Sequence, residues 1–142
     1  MKQIRVTSTL LALGALAAGF AIGSAPASAH HSFAAEFDGG KPITLKGIVM
    51  QIDWTNPHVW FYIHVKGEDG KAVRWACEMG APHQLQGRGW LRDSMKIGDE
   101  VTVNGSLARD GTNRANARTV TTADGKTLGA ASSGERTGGP GH

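Results

Sequence analysis

The sequence predicts a mainly β domain: an OB-like five-stranded Greek-key barrel with one short helix between strands 3 and 4. Three observations predict it. Apolar residues alternate with period two through most of residues 42–128. That period gives way once, between Ala81 and Met95. The first strand pattern is long and contains a glycine, Gly47, the mark of a bulge or a sharp bend. Closing such a sheet removes its edges, and the helix would plug one open end. A β-sandwich is the alternative, but it leaves the single helix without a place.

The elements follow in order. Ile43 to Trp54 is rich in β-formers, and Thr55-Asn56-Pro57 is a turn signal. His58 to Val65 alternates without a break, with Val59, Phe61, Ile63 and Val65 on one face and His58, Trp60, Tyr62 and His64 on the other. Gly67 to Gly70 is a hairpin loop. Ala72 to Met79 places Val73, Trp75, Cys77 and Met79 on one face and Arg74 and Glu78 on the other. Ala81 to Met95 reads as a short helix started by Pro82 and disturbed by Gly87 and Gly89. Gly98-Asp99 turns into a strand over 100–107. A last strand spans about 116–122, and Asp124-Gly125 leads into a small return strand at 126–128.

The ends are of another kind. Residues 1–29 have the form of a secretory signal peptide: Lys2 and Arg5, an apolar run from Leu10 to Ile22, then Ala27-Ser28-Ala29. That run is short of the roughly 20 residues a spanning helix needs, so no membrane span is expected after cleavage, and the location is periplasmic or secreted. Residues 30–41 form an N-terminal arm. Residues 129–142, rich in Gly and Ser, read as a disordered tail.

Composition limits the function. A chain of 142 residues with 40% apolar content supports one domain, and a single cysteine excludes a disulfide scaffold. The formal charge of +3 falls to +1 once Lys2 and Arg5 leave, with 13 basic residues against 12 acidic ones. A nearly neutral domain lacks the positive field that nonspecific nucleic-acid binding uses, so nucleic acid is not an expected partner. The expected partners are a small ligand, a metal ion or a periplasmic protein.

At His30-His31-Ser32-Phe33, Asp53 to His58 and Ala108 to Gly111 the chain resembles a family of small secreted bacterial proteins defined only as a domain of unknown function. The family pattern includes Trp-x-Asn-Pro-His, a Trp-x-x-Glu (Trp75 and Glu78) and Gly-Asp-x-Val-x-Val (Gly98 to Val103). The resemblance covers Ala29 to Leu128. It implies a secreted β-barrel-like domain and carries no established activity.

The candidate metal residues are His30, His31, His58 and His64. Cleavage after Ala29 would give His30 a free amine beside its imidazole, a pair that chelates Cu(II), and a second imidazole would complete a three-nitrogen set. Cleavage after Ala27 would instead place His30 third, where amine, amide nitrogens and imidazole form a square-planar copper or nickel site. The plain alternative is two histidines in an unattached arm. Copper is the cofactor this donor set suggests.

Trp54, Asn56, His58, Trp60 and Tyr62 are the candidate ligand-binding residues. They lie where OB-type barrels bind ligands, and their rings could stack a base or a sugar. Asn56 serves equally as a turn-former. Phe33 and Phe37, four residues apart, share a side if the arm makes a helical turn, and would then dock on Trp60 and Tyr62. Met50, Cys77 and Met79 are soft donors, but the alternation places Cys77 in the core. His83 reads as a simple helix-start residue. No catalytic signature is present, and a copper-dependent oxidoreductase is the weakest reading.

Overall fold

The computed structural model describes residues 33–132. The expected signal peptide over residues 1–29, the candidate ligands His30 and His31, Ser32 and residues 133–142 lie outside them. The domain is mainly β. Its strands are β1 (Phe37–Asp53), β2 (Trp60–Lys66), β3 (Ala72–Glu78), β4 (Glu100–Ala108), β5 (Arg114–Thr121) and β6 (Thr127–Gly129). One helix, α1 (Pro82–Gly87), lies between β3 and β4. There are six strands rather than five, the sixth being the short return strand.

The sheet order is β3-β2-β1-β4-β5-β6, and β3 also pairs with β5. This last pairing is parallel, with Ala76 opposite Arg114, Cys77 opposite Ala115 and Glu78 opposite Asn116. It closes the sheet into a ring, and the other pairings are antiparallel. Val59, Phe61 and Ile63 face the core with Val49, Val101, Val103 and Val120, all at most 1% exposed. Trp60, Tyr62 and His64 remain half-buried on the other face, as the alternation predicts.

β1 starts at Phe37, inside the expected arm. Its first residues pair with the end of β4, Phe37 opposite Ala108, before an irregularity between Asp38 and Pro42. The β1–β2 irregularity lies between Val49 and Gln51, not at Gly47. Gly47 is needed for a different reason: a Cβ there would sit 2.6 Å from the His64 carbonyl oxygen.

α1 is shorter than the Ala81–Met95 pattern suggests. Gln84 turns back to accept the Ala81 N–H, and the chain leaves the helix after Gly87, where the Trp90 N–H reaches the Leu85 carbonyl. Leu85, Trp90 and Met95 are still buried, while Leu91 is 66% exposed because the helical period no longer operates there.

The C-terminal boundary also differs from the expected tail at 129. Ala130, Ala131 and Ser132 are buried. Gly80 N–H donates to the Ala130 carbonyl and Ala130 N–H to the Arg118 carbonyl, both at 2.8 Å. The Trp90 indole N–H donates to the Gly129 carbonyl at 2.8 Å. No helix among the described residues is long and apolar enough to cross a membrane.

Candidate functional site

The turn after β1 carries Trp54 to His58, with a cis Asn56–Pro57 bond. Val59 anchors the end of this turn to β3: its N–H donates to the Gly80 carbonyl, and its carbonyl accepts from Met79. His58 is thereby held against the end of β3, and its Nδ1 meets the Glu78 Oε1. The His58 side chain is 24% exposed and that of Glu78 only 9%. The pair therefore has a buried carboxylate and an imidazole that opens outward.

Glu78 is buried because three elements converge on it. Trp60 of β2 and Asn116 of β5 flank it in register. Asn116 is itself 1% exposed and donates from Nδ2 to the Ser132 hydroxyl at 3.1 Å. Burial pushes the Glu78 carboxyl above its ordinary range. The His58 imidazole pulls it back by charge and contact, the negative charge of Glu36 pushes it further up, and Asn116 lowers it. The Asn116 Oδ1 is buried without a hydrogen-bond partner, as is the Trp54 indole N–H.

The effect of Glu36 places the N-terminal segment near this pair. Residues 33–36 form a helical turn, and the Phe33 and Phe37 rings stack with centroids 5.9 Å apart, as their spacing predicts. The contacts that hold the segment come from Arg109 and from Arg114 on β5. Arg109 Nε donates to the Ala34 carbonyl at 2.8 Å, Arg114 Nη1 to Glu36 Oε2 at 3.3 Å, and the Arg114 guanidinium lies 5.8 Å from the Phe37 ring centroid. The segment runs along β4 and β5, where guanidinium groups satisfy both its carbonyl and its carboxylate.

The remaining candidates separate. Tyr62 has its ring covered by the Arg74 guanidinium, 4.4 Å from the centroid. Arg74 also donates to the Gln51 side chain, so it does not pair with Glu78. His64 stands opposite Ile48 and Arg74. It is six residues from His58, roughly 20 Å at the strand rise, too far to share one ion. Among the described residues no three His, Cys, Asp or Glu side chains group to hold a metal. Trp54 packs against the core, and Asn56 is exposed in the turn. Met50 is 41% exposed while Cys77 and Met79 are fully buried, so these three form no soft-metal site. Burial pushes the Cys77 thiol up to about 12. His83 is exposed on α1.

Sequence reasoning missed Glu78 and Asn116 as site residues. Glu78 stood in the Trp-x-x-Glu pattern, but its apparent partner on the same face was Arg74. Asn116 carried no motif.

No curated protein matches the chain. One solved structure similar to it is the mitochondrial single-stranded DNA-binding protein Rim1 of S. cerevisiae, with a TM-score of 0.46 and 11% identity over 58% of this chain and 92% of that one. This finding corrects the exclusion of nucleic acid drawn from charge, which no longer stands; no ligand is carried over from the likeness. Residues 18–117 match a family of unknown function, DUF6152, and the chain belongs to that family.

Proposed function

We propose that this chain is an extracytoplasmic binding or accessory protein that takes a divalent metal ion, copper by its donor chemistry, where its mature N-terminus meets the barrel. In this reading residues 1–29 are a signal peptide, the barrel is of the five-stranded OB type with β6 as an appendage, and the location is periplasmic or secreted. The observation that carries the reading is the His58–Glu78 contact. It fixes one barrel imidazole at the outer edge of a buried carboxylate, beside the strand to which Arg114 ties Glu36. His30 lies three residues before the helical turn at 33–36, and three residues span at most about 10 Å, so its amine and imidazole stay close to the turn that Arg114 ties to β5. Cu(II) favours such a set of nitrogen donors.

The test uses protein secreted to the periplasm, its N-terminus checked by intact mass, with copper titrated against a competing chelator. Submicromolar Cu(II) binding is expected, lost by about tenfold or more when both His30 and His31 become Ala. Unchanged affinity in that double variant would overturn the reading.

One observation favours a metal-free ligand module instead: the buried Trp54 indole N–H has no partner. Trp54, Asn56, His58, Trp60 and Tyr62 would form that site, though a ring stacking on Tyr62 must displace Arg74. Tryptophan quenching by an oligosaccharide or a small aromatic compound in metal-free protein would support this reading.

A further inference from the structure

We infer that the two turns between α1 and β4 form a membrane-docking surface, which seats Leu91 and Ile97 in a bilayer of anionic phospholipids. The inference stands apart from the copper reading and uses none of its residues.

The core takes Trp90 and Met95 from this segment, at 1% and 3% exposed. It leaves Leu91 at 66% and Ile97 at 69%, the two most exposed large hydrophobics among the described residues. Both sit on well-bonded backbone. The Leu91 N–H donates to the Ser94 hydroxyl at 2.8 Å, and the Ser94 N–H to the Leu91 carbonyl at 3.1 Å. The Lys96 N–H donates to Asp99 Oδ2 at 2.9 Å, and the Asp99 N–H to the Lys96 carbonyl at 3.1 Å. Gly98, at φ +94°, supplies the left-handed residue of this second turn and leaves Ile97 at its tip. Trp90 and Met95 pin the segment to the barrel. The two apolar side chains are therefore presented on ordered backbone, which lowers the entropy cost of docking.

The second turn is also joined to β1. The Gly98 N–H donates to the Val49 carbonyl at 2.8 Å, and the Val49 N–H to the Asp99 carbonyl at 2.9 Å. Val49 is buried, while its neighbours Ile48 and Met50 are 39% and 41% exposed on either side of this junction. The exposed large hydrophobics of the described residues thus lie on these two turns or beside them.

Charge identifies the partner. Arg92 follows Leu91, and Lys96 precedes Ile97. Both cations are exposed, and neither pairs with a carboxylate among the described residues. Arg88, whose guanidinium donates to the Ala131 carbonyl, is a third. Asp93 is the exposed carboxylate among them, since Asp99 is half-buried and caps the Lys96 N–H, and Glu100 pairs with Lys46 at 3.0 Å. Apolar tips flanked by cations suit a bilayer. Acyl chains accept the tips without a matching cavity, and anionic headgroups accept the cations. A protein partner would need two pockets at the same spacing.

The secreted chain is sedimented with vesicles of equal parts phosphatidylcholine and phosphatidylglycerol, and with vesicles of phosphatidylcholine alone. Binding to the anionic vesicles is expected, about tenfold or more tighter than to phosphatidylcholine and falling as salt rises. The double variant Leu91→Ser, Ile97→Ser should weaken it by about tenfold or more. The double variant Arg92→Gln, Lys96→Gln should weaken it by about tenfold and flatten its salt dependence. All four side chains are exposed, so both variants should unfold in urea with the wild-type midpoint. A wild type that leaves the anionic vesicles unbound, or binds both compositions alike, overturns the inference. Wild-type binding by either double variant overturns it too, and places the contact elsewhere on the chain. A dimer in solution that Leu91→Ser, Ile97→Ser dissolves, with the vesicles left unbound, assigns the surface to a second copy of the chain instead. If that variant fails to fold, the Arg92→Gln, Lys96→Gln variant decides.

Discussion

Arg114 reaches Glu36 across 78 residues of sequence, with Nη1 at 3.3 Å from Oε2. The same guanidinium donates from Nη2 to Asp110 at 3.1 Å and lies over the Phe37 ring. One side chain thus joins the N-terminal turn, the β4–β5 connection and a buried aromatic ring. Its ion pairs are partly exposed and screened by solvent, so each contributes little. The burial of Phe37 therefore dominates the attachment.

Phe37→Ala is expected to cost about 3–5 kcal/mol, the range for a buried phenylalanine that leaves a cavity, because Phe37 is 1% exposed. Urea unfolding should show a lower midpoint with little change in slope. Faster hydrogen exchange is expected at the Arg109 amide, which donates to the Glu36 carbonyl. An unfolding free energy within about 0.5 kcal/mol of wild type would show that the segment is not docked.

Gly105→Ala should be more damaging than its size suggests. A Cβ at Gly105 would lie 2.0 Å from the Asn116 carbonyl oxygen, with backbone on every near side. The β4–β5 pairing would have to open where its register already shifts. Loss of the cooperative transition, or a fall of more than about 3 kcal/mol, is expected by circular dichroism in urea.

A chain ending at Leu128 is expected to be less stable than one ending at Ser132. The shorter chain strips Trp90, Gly80 and Asn116 of their partners Gly129, Ala130 and Ser132. Each buried polar group left unpaired costs about 1–3 kcal/mol. Equal melting temperatures for the two chains would contradict the buried position of residues 130–132.

Acid should weaken the fold through two turn aspartates. The Thr112 hydroxyl and N–H, with Arg114, hold the Asp110 carboxyl below its ordinary 3.8. The Thr122 hydroxyl and the Lys126 N–H do the same for Asp124. A carboxyl lowered in the folded state binds fewer protons there than in the unfolded chain. Its contribution is present above 3.8 and lost as pH falls through the depressed folded value. The double variant Asp110→Asn, Asp124→Asn should show a flatter acid limb in stability against pH, and an identical limb would refute the assignment.

Much of this protein was legible in its residues. The unbroken alternation from His58 to Val65 fixes which side of β2 meets the core, because a strand has a period of two and no other choice. Glycine-bearing turns at 67–70, 98–99 and 124–125 set the strand boundaries. The stacking of Phe33 on Phe37 follows from a four-residue spacing in a helical turn.

What only the tertiary structure decided is the site. Glu78 alternates with core residues and shares its face with Arg74, so its pattern reads as solvent-facing. It is buried because β5 closes the sheet in parallel beside β3 and because residues 130–132 cover Asn116. Those three residues are small and show no period, yet small side chains are the ones that fit against a packed barrel end. The docking place of Phe37 was hidden for a related reason. Two arginines far along the chain supply its partners, and a pairing between residues that far apart leaves no local pattern to read.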